Sequence, residues 1–304
     1  MSHVDFFADE LARIPVHGLR TIIEGVPTAW WNYGPRSGPI GLVMIHGFRG
    51  DHHGLEPFVA KMGDARRIVV PDLPGFGDSG VSALNESDLT LIDGYAQWLQ
   101  DFLTAVGADK KTVILGHSFG SIVVAAAFAR GLNQDGCILV NPIAANALTG
   151  PRGILTRLAV WYYKASAALP ERLGQRLLRN RAIVRIMSAT MAKTSDRQLR
   201  RWIHGQHDSY FSSFASRESV LRAFQASVAH DVSEFSSTLP EGTLLIAADR
   251  DDITTIPRQR ELAEKIPGST LTIIPNVGHL VHYEAPAQAA QAICGYLEER
   301  DQSK

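Results

Sequence analysis

The chain has few cysteines, no long apolar run and almost no net charge. Two cysteines in 304 residues, Cys137 and Cys294, are too few for a disulfide framework. Each sits in an apolar strand-like or helix-like stretch, so buried free thiols are expected rather than a bridge. Nowhere do about 18 apolar residues run together, so no membrane-spanning segment is expected. A net charge of -1 removes any global electrostatic case for nucleic acid. The first ten residues hold Asp5, Asp9 and Glu10 where a secretory signal carries lysines, which favours a cytoplasmic location. Cys and His clusters at metal-ligand spacing are missing. His52 and His53 adjoin, but no third ligand is evident, so neither a metal nor a cofactor is expected. Repeats and low-complexity tracts are absent as well.

What is present is an alternation of short apolar runs with amphipathic ones. Residues 18–32 read as two strands around Gly25-Val26-Pro27. Residues 40–45, 67–70, 111–115, 136–140, 243–247 and 269–274 complete a set of eight strands, most of them apolar throughout. Such strands suit a sheet covered on both faces. Residues 89–106 place Ile92, Tyr95, Ala96, Leu99, Phe102, Leu103 and Val106 on one helical face. Residues 286–298 open with a helix-compatible proline and turn Ala289, Ala290, Ile293 and Leu297 inward. The pattern predicts an α/β protein, a three-layer α/β/α sandwich on a mostly parallel eight-stranded sheet.

The alternation breaks across residues 141–240, which read as helices, most periodic over 172–192 and 216–229. This block is expected to be a helical cap inserted into a core made of 1–140 and 241–304. It holds 14 Lys and Arg against 6 Asp and Glu, while the whole chain is at -1. The surplus is either solvated arginine on helix surfaces or a face for an anionic lipid surface, acidic headgroup or acidic partner.

Ser118 lies in Gly116-His117-Ser118-Phe119-Gly120, between the apolar run ending at Leu115 and a helix expected over 121–130. A strand, a sharp turn and a helix lift a serine hydroxyl into the open, and the glycines remove the Cβ atoms that would clash. A serine needs a base, and His279 in Pro275-Asn276-Val277-Gly278-His279 follows the last strand. His282 is its rival, better suited to local packing. A carboxylate should hold the imidazole, and Ala248-Asp249-Arg250-Asp251-Asp252 offers three. Asp251 is preferred, with Asp249 and Asp252 left open. Asp72 is expected to stabilise a turn. The main-chain N–H groups of Phe119, at a helix N-terminus, and Phe48, in His46-Gly47-Phe48, are the expected oxyanion donors. Arg49 either pairs with Asp51 or anchors a substrate carboxylate or phosphate. Trp161, and His207 within residues 202–211, are further candidate substrate contacts.

Four stretches together resemble the α/β-hydrolase fold superfamily, in its esterase and lipase-like branch with a helical cap. They are His46-Gly47-Phe48, Asp72 to Ser79, Gly116 to Gly120, and Gly278-His279 with Glu284 and Pro286 beyond. The resemblance implies Ser118, Asp251 and His279 in triad order, with Phe48 and Phe119 at the oxyanion positions. The acid loop departs from the pattern, with Ala248 where Gly is common and Asp252 where Pro is common. A serine at the turn argues against the related dehalogenases and epoxide hydrolases, which carry Asp there. The expected reaction is cleavage of a small-molecule carboxylic ester with a hydrophobic acyl part. The alternatives are a C–C bond hydrolase of ring-fission products, a thioesterase or an acyltransferase, and lastly a non-catalytic binding module. A monomer or homodimer is expected.

Overall fold

A computed structural model describes residues 6–81, 91–145 and 153–302. The expected helix start at 89–90, the first five residues of the leader reading and residues 146–152 of the cap lie outside them. The eight strands are β1 Val16–Ile23, β2 Val26–Tyr33, β3 Leu42–Ile45, β4 Ile68–Pro71, β5 Val113–His117, β6 Gly136–Val140, β7 Leu244–Ala248 and β8 Thr270–Ile274. They form one sheet in the order β1-β2-β4-β3-β5-β6-β7-β8. Only the β1–β2 and β2–β4 pairings are antiparallel, so β2 alone runs against the rest. β3, β4, β5, β6 and β7 are buried along their whole length, which explains their continuous apolar sequences.

Helices cover both faces. They are α1 Ala8–Leu11, α2 Glu56–Met62, α3 Leu91–Val106, α4 Phe119–Ala129, α5 Gly153–Ala168, α6 Glu171–Leu178, α7 Arg181–Met191, α8 Arg197–Tyr210, α9 Arg217–Ala229, α10 Ile256–Lys265, α11 Val281–Glu284 and α12 Pro286–Gln302. The period-two alternation of the strands divides the core. Ile114 of β5 joins the layer built with α3 and α4, whereas Val113 and Leu115 join the layer with α2 and α12. Ile92, Ala96, Leu99, Phe102 and Leu103 of α3 are all buried. Each large side chain among them stabilises the fold by about 1.5–3 kcal/mol.

Among the described residues, helices α5 to α9 are inserted between β6 and β7 as a cap. The single periodic run expected over 172–192 is in fact two helices. Asn180 breaks it, because its side-chain oxygen accepts the N–H groups of Ala182 and Ile183 and so caps α7. Ser216 caps α9 in the same manner, and Asp196 caps α8. The cap is hydrogen-bonded to the core: Gly77 N–H donates to Ser213 O at 3.0 Å, and Ala215 N–H to Gly75 O at 3.0 Å. Both cysteines are free thiols, and burial raises the pKa of each. Among the described residues no helix is long and apolar enough to cross a membrane.

Candidate active site

The loops that carry Ser118, Asp251 and His279 each leave the carboxyl end of a parallel strand. Ser118 follows β5 and holds φ +53, a left-handed conformation that costs a non-glycine residue about 1–3 kcal/mol. The strain is held in place by backbone-to-backbone packing. A Cβ on Gly120 would collide with the carbonyl oxygens of Ile45 and His46, so the turn and the end of β3 fit together only with glycine there.

His279 follows β8 and Asp251 follows β7. His279 Nε2 lies 2.7 Å from Ser118 Oγ, and its Nδ1 lies 2.7 Å from Asp251 Oδ2. With the ring proton on Nδ1, the imidazole donates to Asp251 and accepts from the Ser118 hydroxyl. Asp251 Oδ1 accepts the Ile253 N–H at 2.7 Å, which orients the carboxylate. Both His279 and Asp251 are buried. Of the other two acids in this loop, Asp249 is exposed and Asp252 pairs with Lys193 of the cap at 2.5 Å.

Two supports had no role assigned from the sequence. Asn141, fully buried at the end of β6, donates to His279 O at 2.8 Å and accepts the Ala248 N–H at 2.8 Å. One amide therefore ties the histidine loop to the strand that carries the acid. The one local signal was an Asn directly after an apolar run, and its φ of +43 emerges only in the structure. Glu284 is the second. It accepts the Gly278 N–H at 2.7 Å and the Thr194 N–H at 2.8 Å, and so fastens the histidine loop to the cap.

His117 and His282 lie behind His279, with their rings 4.3 Å apart. Burial, then the neighbouring His279, pulls the His117 pKa down to about 3, and burial holds His282 well below the ordinary value. Both stay neutral near pH 7, so His279 faces no added positive charge from them. Gly47 brings the loop after β3 against Ser118, where an added Cβ would lie 3.2 Å from Ser118 Cβ. Among the described residues, the N–H groups of Phe48 and Phe119 meet no protein acceptor.

Three expectations need correction. Arg49 does not pair with Asp51. With φ +60 it points into the cap, while Asp51 accepts the His53 N–H and caps a short 3-10 turn. Trp161 is 71% exposed and is no pocket wall, because Tyr163 and Ser166 occupy the inward positions of α5 and leave Trp161 on the far side. His52 and His53 do have a third potential ligand beside them, Asp51, with one ligand atom of each within 4.8 Å of the others. These groups already serve one another, His53 Nδ1 lying 3.2 Å from Asp51 Oδ1 and His52 Nδ1 2.9 Å from Asp72 Oδ1. His207 is buried in the cap, with Nδ1 2.7 Å from Ser188 Oγ and its ring against Tyr283. A wide groove of about 1000 Å³ at the amino ends of the strands, bounded by Arg66, Lys111 and Arg300, touches none of Ser118, Asp251 and His279.

An eight-stranded sheet of this order, a serine at a strained strand-to-helix turn and an inserted helical cap define an α/β-hydrolase fold. The chain belongs to the alpha/beta hydrolase family, whose model matches residues 42–292. It is 25% identical over 304 residues to a 2-hydroxymuconate semialdehyde hydrolase from Pseudomonas sp. (strain CF600), covering 94% of this chain and 96% of that protein. It is 29% identical over 157 residues to a monoacylglycerol lipase from Mycolicibacterium smegmatis, covering 49% of this chain and 54% of the lipase. Two other curated relatives are spanned over 33% and 66% of their own lengths. An esterase from Exiguobacterium antarcticum superposes with a TM-score of 0.74 at 16% identity, covering 93% of this chain and all of that one.

Proposed function

We propose that the chain is a serine hydrolase that cleaves a carbonyl compound through an acyl-enzyme. The line from Ser118 through His279 to Asp251, 2.7 Å at each step, carries this reading. Ser118 attacks the carbonyl carbon as His279 takes the hydroxyl proton. Asp251 holds the imidazole in the required tautomer and stabilises the imidazolium. The amides of Phe48 and Phe119 receive the oxyanion, and each such donor lowers the barrier by about 3 kcal/mol. His279 protonates the leaving group, then activates the water that releases the acid.

The bond cleaved is either an ester with a hydrophobic acyl part or the C–C bond of a ring-fission product. The second has the better support, because the 2-hydroxymuconate semialdehyde hydrolase aligns along nearly the whole chain. The lipase aligns along half of it, and the esterase neighbour speaks for the fold alone. Thioester cleavage and acyl transfer use the same residues. The unpaired thiols suit the cytoplasm. The cap's surplus of cations, with Trp161 and Leu173 exposed, suits contact with an anionic lipid surface.

A fluorophosphonate probe tests the chemistry. Labelling at Ser118 that vanishes in Ser118→Ala is expected, and a folded wild-type protein that stays unlabelled would return the chain to the class of binding modules. Turnover of p-nitrophenyl esters beside a dienoate ring-fission product then separates the two bond types.

A further inference from the structure

Arg49 is buried, 1% exposed, and no carboxylate meets it among the described residues. Its partners all belong to the cap. Nε donates to Phe211 O at 3.1 Å, Nη1 to the Tyr163 hydroxyl at 3.4 Å and Nη2 to Leu178 O at 2.7 Å. The guanidinium also lies over the Phe211 ring, 4.5 Å from its centre. One side chain from a core loop thus reaches α5, the end of α6 and the residue that follows α8. Burying a cation against neutral acceptors is costly, and a methionine of similar length would pack there without that cost. The left-handed backbone at Arg49 adds to the strain. An interior that needed only filling would shed both.

The position of the strain is informative. Arg49 directly follows Phe48, whose ring packs against Phe119 beside the nucleophile and against Tyr163 and Phe224 of the cap. A lifted cap removes all three Arg49 acceptors and two of the aromatic neighbours of Phe48 in one step. The charged group then gains water, and nothing from the cap retains the left-handed turn.

We propose that Arg49 is a positioning residue that couples seating of the cap to the shape of the Phe48 loop. The oxyanion donor is in place when the cap is closed over Ser118 and is lost when the cap lifts. This rests on the reading of the Phe48 amide as an oxyanion donor. The arginine fork suits the task because it reaches three acceptors in a fixed geometry, which a lysine ammonium cannot reproduce.

The test uses the full chain as wild type, Arg49→Met and Arg49→Lys, with folding checked by circular dichroism. Hydrogen exchange needs no substrate. Exchange in Arg49→Met should rise at least about tenfold, together, over residues 46–51, 163–178 and 207–214, with β5 and β6 unchanged. On an uncharged p-nitrophenyl ester kcat should fall at least about tenfold, with KM within about threefold, and fluorophosphonate labelling should slow in parallel. Arg49→Lys should lie between. Faster exchange confined to the cap, with labelling unchanged, would reduce Arg49 to a packing residue and overturn the proposal. So would a KM rise confined to carboxylate-bearing substrates with kcat kept, since that marks a substrate anchor. If wild type neither labels nor turns over, the functional reading fails and the exchange pattern alone decides the coupling. If Arg49→Met does not fold, Arg49→Lys and Tyr163→Phe carry the same measurements.

Discussion

Two buried Asp–His pairs stand at the carboxyl ends of strands in this sheet, and they are nearly the same object. His279 Nδ1 is 2.7 Å from Asp251, and His52 Nδ1 is 2.9 Å from Asp72. Each carboxylate also accepts main-chain N–H groups, Ile253 for Asp251, and His52 and Asp78 for Asp72. What separates them is the far side of the imidazole. His279 presents Nε2 to Ser118 Oγ, whereas the His52 ring lies flat on Trp31 with centres 3.3 Å apart. A carboxylate–imidazole pair is therefore no signature of catalysis. In the proposed reaction the third group is what would let one pair move a proton while the other holds a loop.

The comparison breaks most sharply at its third group. Ser118→Ala should lower kcat on the order of 10⁶-fold and abolish probe labelling, with little change in melting temperature. Next, the two acids should divide. Asp251→Asn should cost kcat about 10⁴-fold and little stability, because the wrong imidazole tautomer is then held. Asp72→Asn should keep kcat per folded molecule within about threefold and lose about 2–4 kcal/mol in urea unfolding. A large kcat loss in Asp72→Asn would erase the distinction between the pairs.

Acid separates the imidazoles more finely. Burial alone would raise the Asp72 carboxyl, but the hydrogen bond and charge of His52, then the Asp78 amide, hold it below its usual 3.8. Its contribution is full above 3.8 and is lost as pH falls through the lower folded value. The stability gap between wild type and Asp72→Asn should therefore close only in strong acid. His117 has no carboxylate and titrates at about 3 when folded against 6.5 unfolded. The unfolded chain takes up a proton that the folded one refuses, so stability declines as pH drops from 6.5 towards 3. His117→Gln should remove one proton from the slope over that window, read by urea unfolding across a pH series. The smallest effect should come from the cap surface. Trp161→Ser should change stability by no more than about 0.5 kcal/mol. It should also weaken sedimentation with phosphatidylglycerol vesicles, leaving phosphatidylcholine vesicles as the blank.

The sequence by itself determined the strands, the serine turn and the histidine loop. Each of these is written in contiguous residues: buried strands as unbroken apolar runs, and the turn as glycines where backbones touch, as Gly120 does against Ile45. Which acid meets His279, where Arg49 points and which side of α5 carries Trp161 were decided only in the tertiary structure. Those answers depend on partners remote in the chain, 28 residues apart for Asp251 and His279 and 129 for Arg49 and Leu178, or, for Arg49, on a left-handed backbone angle that no composition encodes. Asn141 shows the same limit, since its worth lies in joining His279 to Ala248, and neither partner is near it in the chain. Local sterics are spelled out along a chain, whereas convergence of remote loops follows from how the sheet twists and how the cap is seated on it.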